Sequence, residues 1–341
     1  MKRFSEGRVF LPVLGVLLGL IAVVALGAGP VSIPPGKVLE IFFNGLSAAE
    51  FPDDTHYIIV WDLRLPRVIL AVLVGASLAL SGAVMQGFFQ NPMADPYIIG
   101  VSSGAALGAT LAMYSGIEFW FFGISAVSVF AFVGALAVTF LVYGISMRGG
   151  QLPITVVLLT GIALGALAAA LTSFLLITSE RDLQRILYWL MGSLSSRRWD
   201  HVQTILPYTL IGAVVLRFFA RDLNVILQGE ENAQFLGVDV ERTKRILLVL
   251  AALLAAAAVA VSGIIGFVGL VVPHIMRLLV GPDHRKLFPA SLLGGAILLV
   301  GADILARTLI APTEIPIGII TSVLGCPFFL YLLSRRHPAS L

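Results

Sequence analysis

The chain has 341 residues, of which 58% are hydrophobic and 12% are Asp, Glu, Lys or Arg, with a formal net charge of +3. That charged share is about half of what soluble chains carry, and a mean hydropathy of +0.99 marks a membrane protein and excludes a sizeable soluble domain, a disordered tail or a long linker. The single cysteine, Cys326, excludes a disulfide framework and a multi-cysteine metal site within one chain.

An ionised group in hydrocarbon costs several kcal/mol, so charge-free runs mark the spans. In chain order these runs are 9–36, 68–94, 96–117, 119–147, 149–179, 202–216, 246–276, 287–302 and 315–334. The run at 246–276 is broken by Ser262-Gly263 and continues apolar to Val280, which predicts two shorter helices there and ten in all, with both termini on one side. The basic start, Lys2, Arg3 and Arg8, precedes an apolar run longer than a secretory h-region, so an uncleaved first helix is expected. If those three are cytoplasmic, alternation places 14 of the 22 basic residues inside and 11 of the 19 acidic ones outside. Arg148, the stretch 217–245, Arg277, Arg285, Lys286, Arg335 and Arg336 then fall inside, in keeping with the positive-inside rule.

Gly100, Gly104 and Gly108, and again Gly161 and Gly165, recur four residues apart, a pattern that lets helix backbones approach closely in lipid. A faint internal repeat is also visible. Arg67 and Arg245 each open a helix expected to end at a Ser-Gly pair, Ser81-Gly82 and Ser262-Gly263, with Pro92 and Pro273 ten residues beyond, as an inverted transporter repeat would look.

Absences narrow the function. The Gly36-Lys37 pair is followed by Val38 and lacks the glycines of a phosphate-binding loop, and no two of the five histidines stand four apart, so neither an ATP site nor a helical zinc-protease pattern is present. An ion-coupled carrier keeps carboxylates or histidines at membrane depth, whereas nearly every span here is empty of them. Such a transporter takes its energy from a partner, or is a passive pore.

Three polar constellations remain. Arg64 and Arg67, flanking Pro66, stand at the outer mouth of the second helix and share a face if the turn is helical. Two readings fit them: snorkelling to phospholipid headgroups, or gripping acidic side chains of a partner. Asp303, Arg307 and Glu314 cluster near the outer end between the last two helices, where Asp303 and Arg307 are spaced for an ion pair. The cytoplasmic segment from Gly229 to Arg245 has an acidic start, apolar Phe235, Leu236, Val238 and Val240, and an interruption at Gly237. It predicts two short amphipathic helices joined by a turn, either a solvated loop or a docking surface for a soluble protein.

Several runs of residues resemble the iron-siderophore, haem and vitamin B12 permease family of bacterial ABC importers. They are the arginine pair leading into Leu73-Val-Gly-Ala-Ser-Leu-Ala-Leu-Ser-Gly82, Gln90-Asn-Pro-Met-Ala-Asp-Pro96, Gly266-Phe-Val-Gly-Leu-Val-Val-Pro-His274 and Glu314-Ile-Pro-Ile-Gly318. The likeness runs from the second helix to the C-terminus, with residues 1 to about 60 similar by hydropathy alone.

The resemblance implies an all-α integral membrane fold of about ten helices, the type II ABC importer permease fold, as one permease domain over 1–341 with a coupling loop at 229–242. It also implies a second copy of the chain, two ATPase subunits below, a periplasmic binding protein above and a metal-chelate substrate, in the bacterial inner membrane. No catalytic residue, no cofactor of its own and no nucleic-acid partner is implied; ATP is bound by the partner. Residues matching Arg64, Arg67 and Arg307 receive glutamates of the binding protein. The loop matching Glu231, Ala233, Leu236, Gly237 and Val238 enters a cleft on the ATPase. Asn91 and Met93, with Ile154 and Thr155, match the cytoplasmic gate, although Pro153 and Ile154 replace hydroxyl residues that the vitamin B12 permease carries there. An ion-coupled secondary transporter is the alternative and would need a buried carboxylate relay, while a membrane enzyme would need a His or Asp cluster; the spans show neither.

Overall fold

The computed structural model describes residues 7–46, 55–121, 124–179 and 182–335. The expected cytoplasmic placement of Lys2, Arg3 and Arg336 concerns residues outside this set. The described residues fold almost wholly into helices: α1 (Gly7–Gly27), α2 (Pro35–Leu46), α3 (Thr55–Tyr57), α4 (Leu65–Phe88), α5 (Val101–Tyr114), α6 (Ala126–Ser146) and α7 (Ile154–Thr178). They continue with α8 (Leu183–Leu190), α9 (Trp199–Ile226), α10 (Glu230–Phe235), α11 (Val240–Ser262), α12 (Val268–Val280), α13 (His284–Thr308) and α14 (Ile317–Arg335). Strands β1 (Trp120–Phe121) and β2 (Ile124–Ser125) pair antiparallel between α5 and α6.

Seven spans among the described residues are long and apolar enough to cross a membrane. Two shorter apolar helices, in α12 and α14, add to these, and α5, 14 residues long, stands where the remaining one of the ten expected helices falls. The break predicted after Ser262 is present: α11 ends there, Gly263 and Phe267 both take positive φ, and α12 starts at Val268. The second span differs from expectation. It begins at Thr55, passes through a π-helical stretch, Ile58–Arg64, and continues as α4. Pro66 lacks an N–H and crowds the carbonyl four residues back, and the wider π turn just before it accommodates that loss.

α4 is the hub: 89% of its most apolar window is buried, against α9, α11, α12 and α13. Glycine permits this. A methyl at Gly82 would collide with the Gly269 carbonyl of α12, and one at Gly75 with the Gly295 carbonyl of α13. The four-residue glycine spacing does what it predicts in α5, where methyls at Gly104 and Gly108 would strike the Gly134 and Phe130 carbonyls of α6. Gly161 likewise abuts the Ile98 carbonyl, whereas Gly165 meets only the Ser103 hydroxyl. The internal repeat does not carry through, because Ser81-Gly82 lies inside α4, which runs on to Phe88, while Ser262-Gly263 ends α11. Pro92 stands in a turn and Pro273 inside α12. Each Ser-Gly pair answers a different packing demand.

Candidate functional site

α9, 28 residues long, spans about 40 Å at 1.5 Å per residue and separates two ends of the bundle. One end holds the arginines, the other α10.

At the arginine end, α1 stops at Gly27 and leaves carbonyls without intrahelical partners, the negative end of its dipole. Arg64 Nη1 donates to the Leu26 and Gly27 carbonyls at 2.8 and 2.9 Å, and Nη2 to that of Val31. Arg307 reaches the same helix end from α13, donating to the Ala25 and Ala28 carbonyls at 2.6 and 3.0 Å. Gly29, at φ +148°, lets the Arg64 guanidinium pass where a methyl would collide with it.

Arg67 stands between two carboxylates. Its Nε donates to Asp303 Oδ1 at 2.9 Å, and Nη1 and Nη2 grip both oxygens of Glu314 at 2.8 and 3.0 Å. The predicted Asp303–Arg307 pair is present at 3.2 Å, with both side chains almost fully buried. Sequence spacing pointed to that local pair and missed Arg67, which is 236 residues from Asp303. Burial alone would push the Glu314 carboxyl up, but the Arg67 hydrogen bonds and charge outweigh it and hold the group below the usual carboxylate range. The run from Glu314 to Gly318 thus has two structural tasks. Glu314 ties Arg67, and Gly318 lies where a methyl would collide with the Met191 carbonyl after α8.

Arg64, Arg67, Arg307 and Glu314 open onto a cavity of about 700 Å³, whose far wall carries Arg197, Arg198 and Trp120. The structure therefore brings all three predicted arginines together, with Arg64 and Arg307 buried to 7% and 3% exposure. Arg197 and Arg198 were missed, although two adjacent arginines on the side poorer in cations were a usable signal. Arg197 Nη1 donates to His201 Nε2 at 3.0 Å, and burial lowers the Arg197 guanidinium to about 10. It stays charged at neutral pH.

At the other end, Gly229 at φ +118° turns the chain from α9 into α10. Ala233 is fully buried with Ile226 and Val240 in a small core of its own. Gly237 at φ +82° ends the element, with the Val238 and Gly237 amides donating to the Ala233 and Gln234 carbonyls at 2.9 Å. Phe235 and Leu236 are left 89% and 70% exposed; Glu231 is exposed and Val238 half-buried. Only the first of the two predicted short helices is separate. The second is the opening of α11, capped by Asp239 Oδ1, which accepts from the Arg242 amide at 3.0 Å.

Asn91 and Met93 lie between α4 and a single 3₁₀ turn, Pro96–Ile99. Asn91 Oδ1 accepts from the Met93 amide at 2.9 Å, closing a local turn. Ile154, half-buried, and Thr155, exposed, open α7. No hydrogen bond among the described residues joins the two pairs, but α7 packs on the 3₁₀ turn through Gly161. Nearby, burial pushes the Asp95 carboxyl up to about 6, against the Tyr97 amide that donates to it.

A many-helix apolar bundle with a charged mouth at one end and a braced apolar knob at the other defines a membrane transporter subunit. Residues 17–335 match the model of the FecCD transport family, and the chain belongs to that family. The match begins inside α1, earlier than the motif runs suggested. The chain is 52% identical over 288 residues, 84% of its length and 76% of the relative's, to the cobalamin import system permease protein BtuC of Halobacterium salinarum. It is 43% identical over 342 residues, covering 95% and 96% of the two chains, to the hemin transport system permease protein HmuU of Yersinia pestis. A solved metal-chelate type ABC transporter in an inward-facing conformation superposes with a TM-score of 0.84 at 34% identity, over 96% of this chain and 99% of that one. The chain is a multi-pass, all-α permease of the metal-chelate ABC importer class, as its motifs led one to expect.

Proposed function

We propose that this permease works as a pair of identical chains with two ATPase subunits under α10 and a binding protein over the arginine end, moving a metal-chelate nutrient across the bacterial inner membrane. Both termini then lie in the cytoplasm, and the chain holds no cofactor of its own. The observation that carries this reading is the exposed Phe235-Leu236 pair on a short helix that Ala233 braces from within. An apolar pair so displayed fits a cleft on a soluble partner. The arginine cavity supplies the opposite face, where Arg64, Arg67 and Arg307 give a positive field that steers acidic knobs. Arg198, exposed and lining the same cavity, offers the freest guanidinium for direct contact. Against an ion-coupled carrier, the buried Asp303 is already committed to ion pairs with Arg67 and Arg307.

The substrate class follows the relatives, whose names give cobalamin and hemin. The test is reconstitution in vesicles with the partner ATPase and binding protein, followed by ATP-dependent uptake of cobalamin, hemin and a ferric hydroxamate in competition. One of these chelates should accumulate only with ATP and all subunits present, and the isolated chain should hydrolyse no ATP. Hydrolysis by the chain alone, or uptake driven by an ion gradient without the ATPase, overturns the reading.

A further inference from the structure

A line of polar contacts runs from α10 to the start of α7, and the roles given above leave it unused. Glu230, the first residue of α10, accepts from Lys244 Nζ at 2.7 Å. Lys244 is 6% exposed and stands 3.6 Å from Glu241 Oε1, one turn back on α11. The other oxygen of Glu241 accepts from the Leu152 amide at 3.1 Å, across 89 residues of sequence. A buried ammonium between two carboxylates, one of which also holds a backbone amide, is costly to desolvate and is kept only where each member is partnered.

The receiving end is stiff. Gly149 and Gly150, at φ +57° and +82°, form the two-residue turn that positive φ at both positions allows, closed by Arg148 and Gln151 donating to each other's carbonyls at 3.1 and 3.0 Å. Leu152 is 1% exposed. Pro153, with its ring-fixed φ, is all that separates the anchored amide from Ile154 and Thr155 in the first turn of α7. α7 itself is lightly held, with 17% of its apolar window buried against 72% for α11.

We infer that Lys244 and Glu241 are positioning residues that carry movement of α10 to the first turn of α7, through the chain Glu230–Lys244–Glu241–Leu152 amide. A push on α10 shifts Glu230; Lys244 and Glu241 shift with it, and the Leu152 amide held by Glu241 passes the displacement through Pro153 into α7. The inference rests on the readings of α10 as the ATPase contact and of Ile154 and Thr155 as gate residues.

The experiment uses the complete transporter in nanodiscs, with Cys326→Ser and Thr155→Cys giving one reporter thiol. The rate of maleimide labelling is compared without nucleotide and with ATP plus vanadate. In the intact chain the rate should change several-fold. With Glu241→Ala or Lys244→Met, that change should fall to less than a third of its intact size and uptake by the same variants in sealed vesicles should fail, while the ATPase still co-purifies and hydrolyses ATP. Lys244→Arg should restore the labelling change, as a merely space-filling role would not require. Glu230→Gln alters a carboxylate that is 39% exposed, so it tests the same line without emptying a buried position, and a smaller loss in the same direction is expected. Retention of the full ATP-dependent change in Glu241→Ala, or in Glu230→Gln should the buried variants not fold, overturns the relay. A reporter that ignores ATP in the intact chain, or an ATPase that still binds Leu236→Asp, overturns the gate or docking reading instead, and the relay with it.

Discussion

The two ends of the bundle handle their conspicuous residues in opposite ways. At the arginine end, the guanidinium groups are already engaged: Arg64 and Arg307 close off the carbonyls ending α1, and Arg67 is clamped by Asp303 and Glu314. At the α10 end, Phe235 and Leu236 touch little and face outward. A charge in a membrane protein must be satisfied within the chain before it can serve a partner, because an unpaired buried guanidinium is too costly. An apolar side chain at the aqueous face carries a smaller penalty and can stay unpartnered until a complex forms. The arginine cluster is therefore structural before it can serve the docking proposed for it, whereas the exposed pair on α10 has no internal task and is left to the proposed ATPase contact.

The largest expected effect tests the first half of this contrast. Arg67→Glu would set a third carboxylate against Asp303 and Glu314, take away the cation that clamps Glu314 and leave Arg307 alone to offset Asp303, a loss of at least the ~3–5 kcal/mol of a broken buried pair. The expected result is collapse of the monodisperse fraction by size-exclusion chromatography, before docking can be measured. A variant that keeps wild-type thermal stability and loses only binding-protein affinity would reverse the assignment of roles.

Leu236→Asp probes the other end. At 70% exposure the change should leave stability within about 0.5 kcal/mol, the usual range for surface substitutions. Affinity for the ATPase should fall by about 2–4 kcal/mol, since the new charge would be desolvated in the partner's cleft. Thermal scanning of the chain and titration with the ATPase separate the two readouts. Unchanged affinity would leave α10 a solvated turn.

The smallest effect concerns Asp95, which pairs with no cation among the described residues and is only partly exposed. Its carboxyl moves from 3.8 up to about 6 through burial. The folded state therefore favours the protonated form, and that contribution is full below pH ~4 and lost as pH rises through 6. Asp95→Asn is neutral throughout and keeps an oxygen for the Tyr97 amide. It should be more stable than wild type at pH 7.5 by about 1–2 kcal/mol, less than the roughly 3 kcal/mol of two full pKa units, because part of the side chain meets solvent. The difference should vanish near pH 4, as read from melting temperatures across pH. A constant difference would assign the effect to packing.

The motifs that carried the family resemblance turn out to be largely joints around α4. Gly82 meets Gly269 and Gln86 Nε2 donates to the Leu270 carbonyl at 2.9 Å, which explains why a Ser-Gly pair and a Gly-Phe-Val-Gly-Leu run are diagnostic although neither performs chemistry. The π stretch before Pro66 and the short α2 and α8 were not legible. Each depends on what the neighbouring segment leaves unsatisfied, not on a local period.

By itself the sequence determined the spans, the break after Ser262, the ends where charge collects and the apolar character of the α10 segment. These are local properties: a slab of hydrocarbon about 30 Å thick sorts residues by transfer free energy, whatever their neighbours along the fold. Only the tertiary structure decided which charges meet. Arg67 finds Asp303 and Glu314 across 236 and 247 residues, and Glu241 finds the Leu152 amide across 89. Such pairings follow from glycine contacts that bring α4 against α13 and from the turn that returns the chain from α6 to α7. No periodicity along the chain encodes them, because a buried charge selects its partner by proximity in the packed bundle.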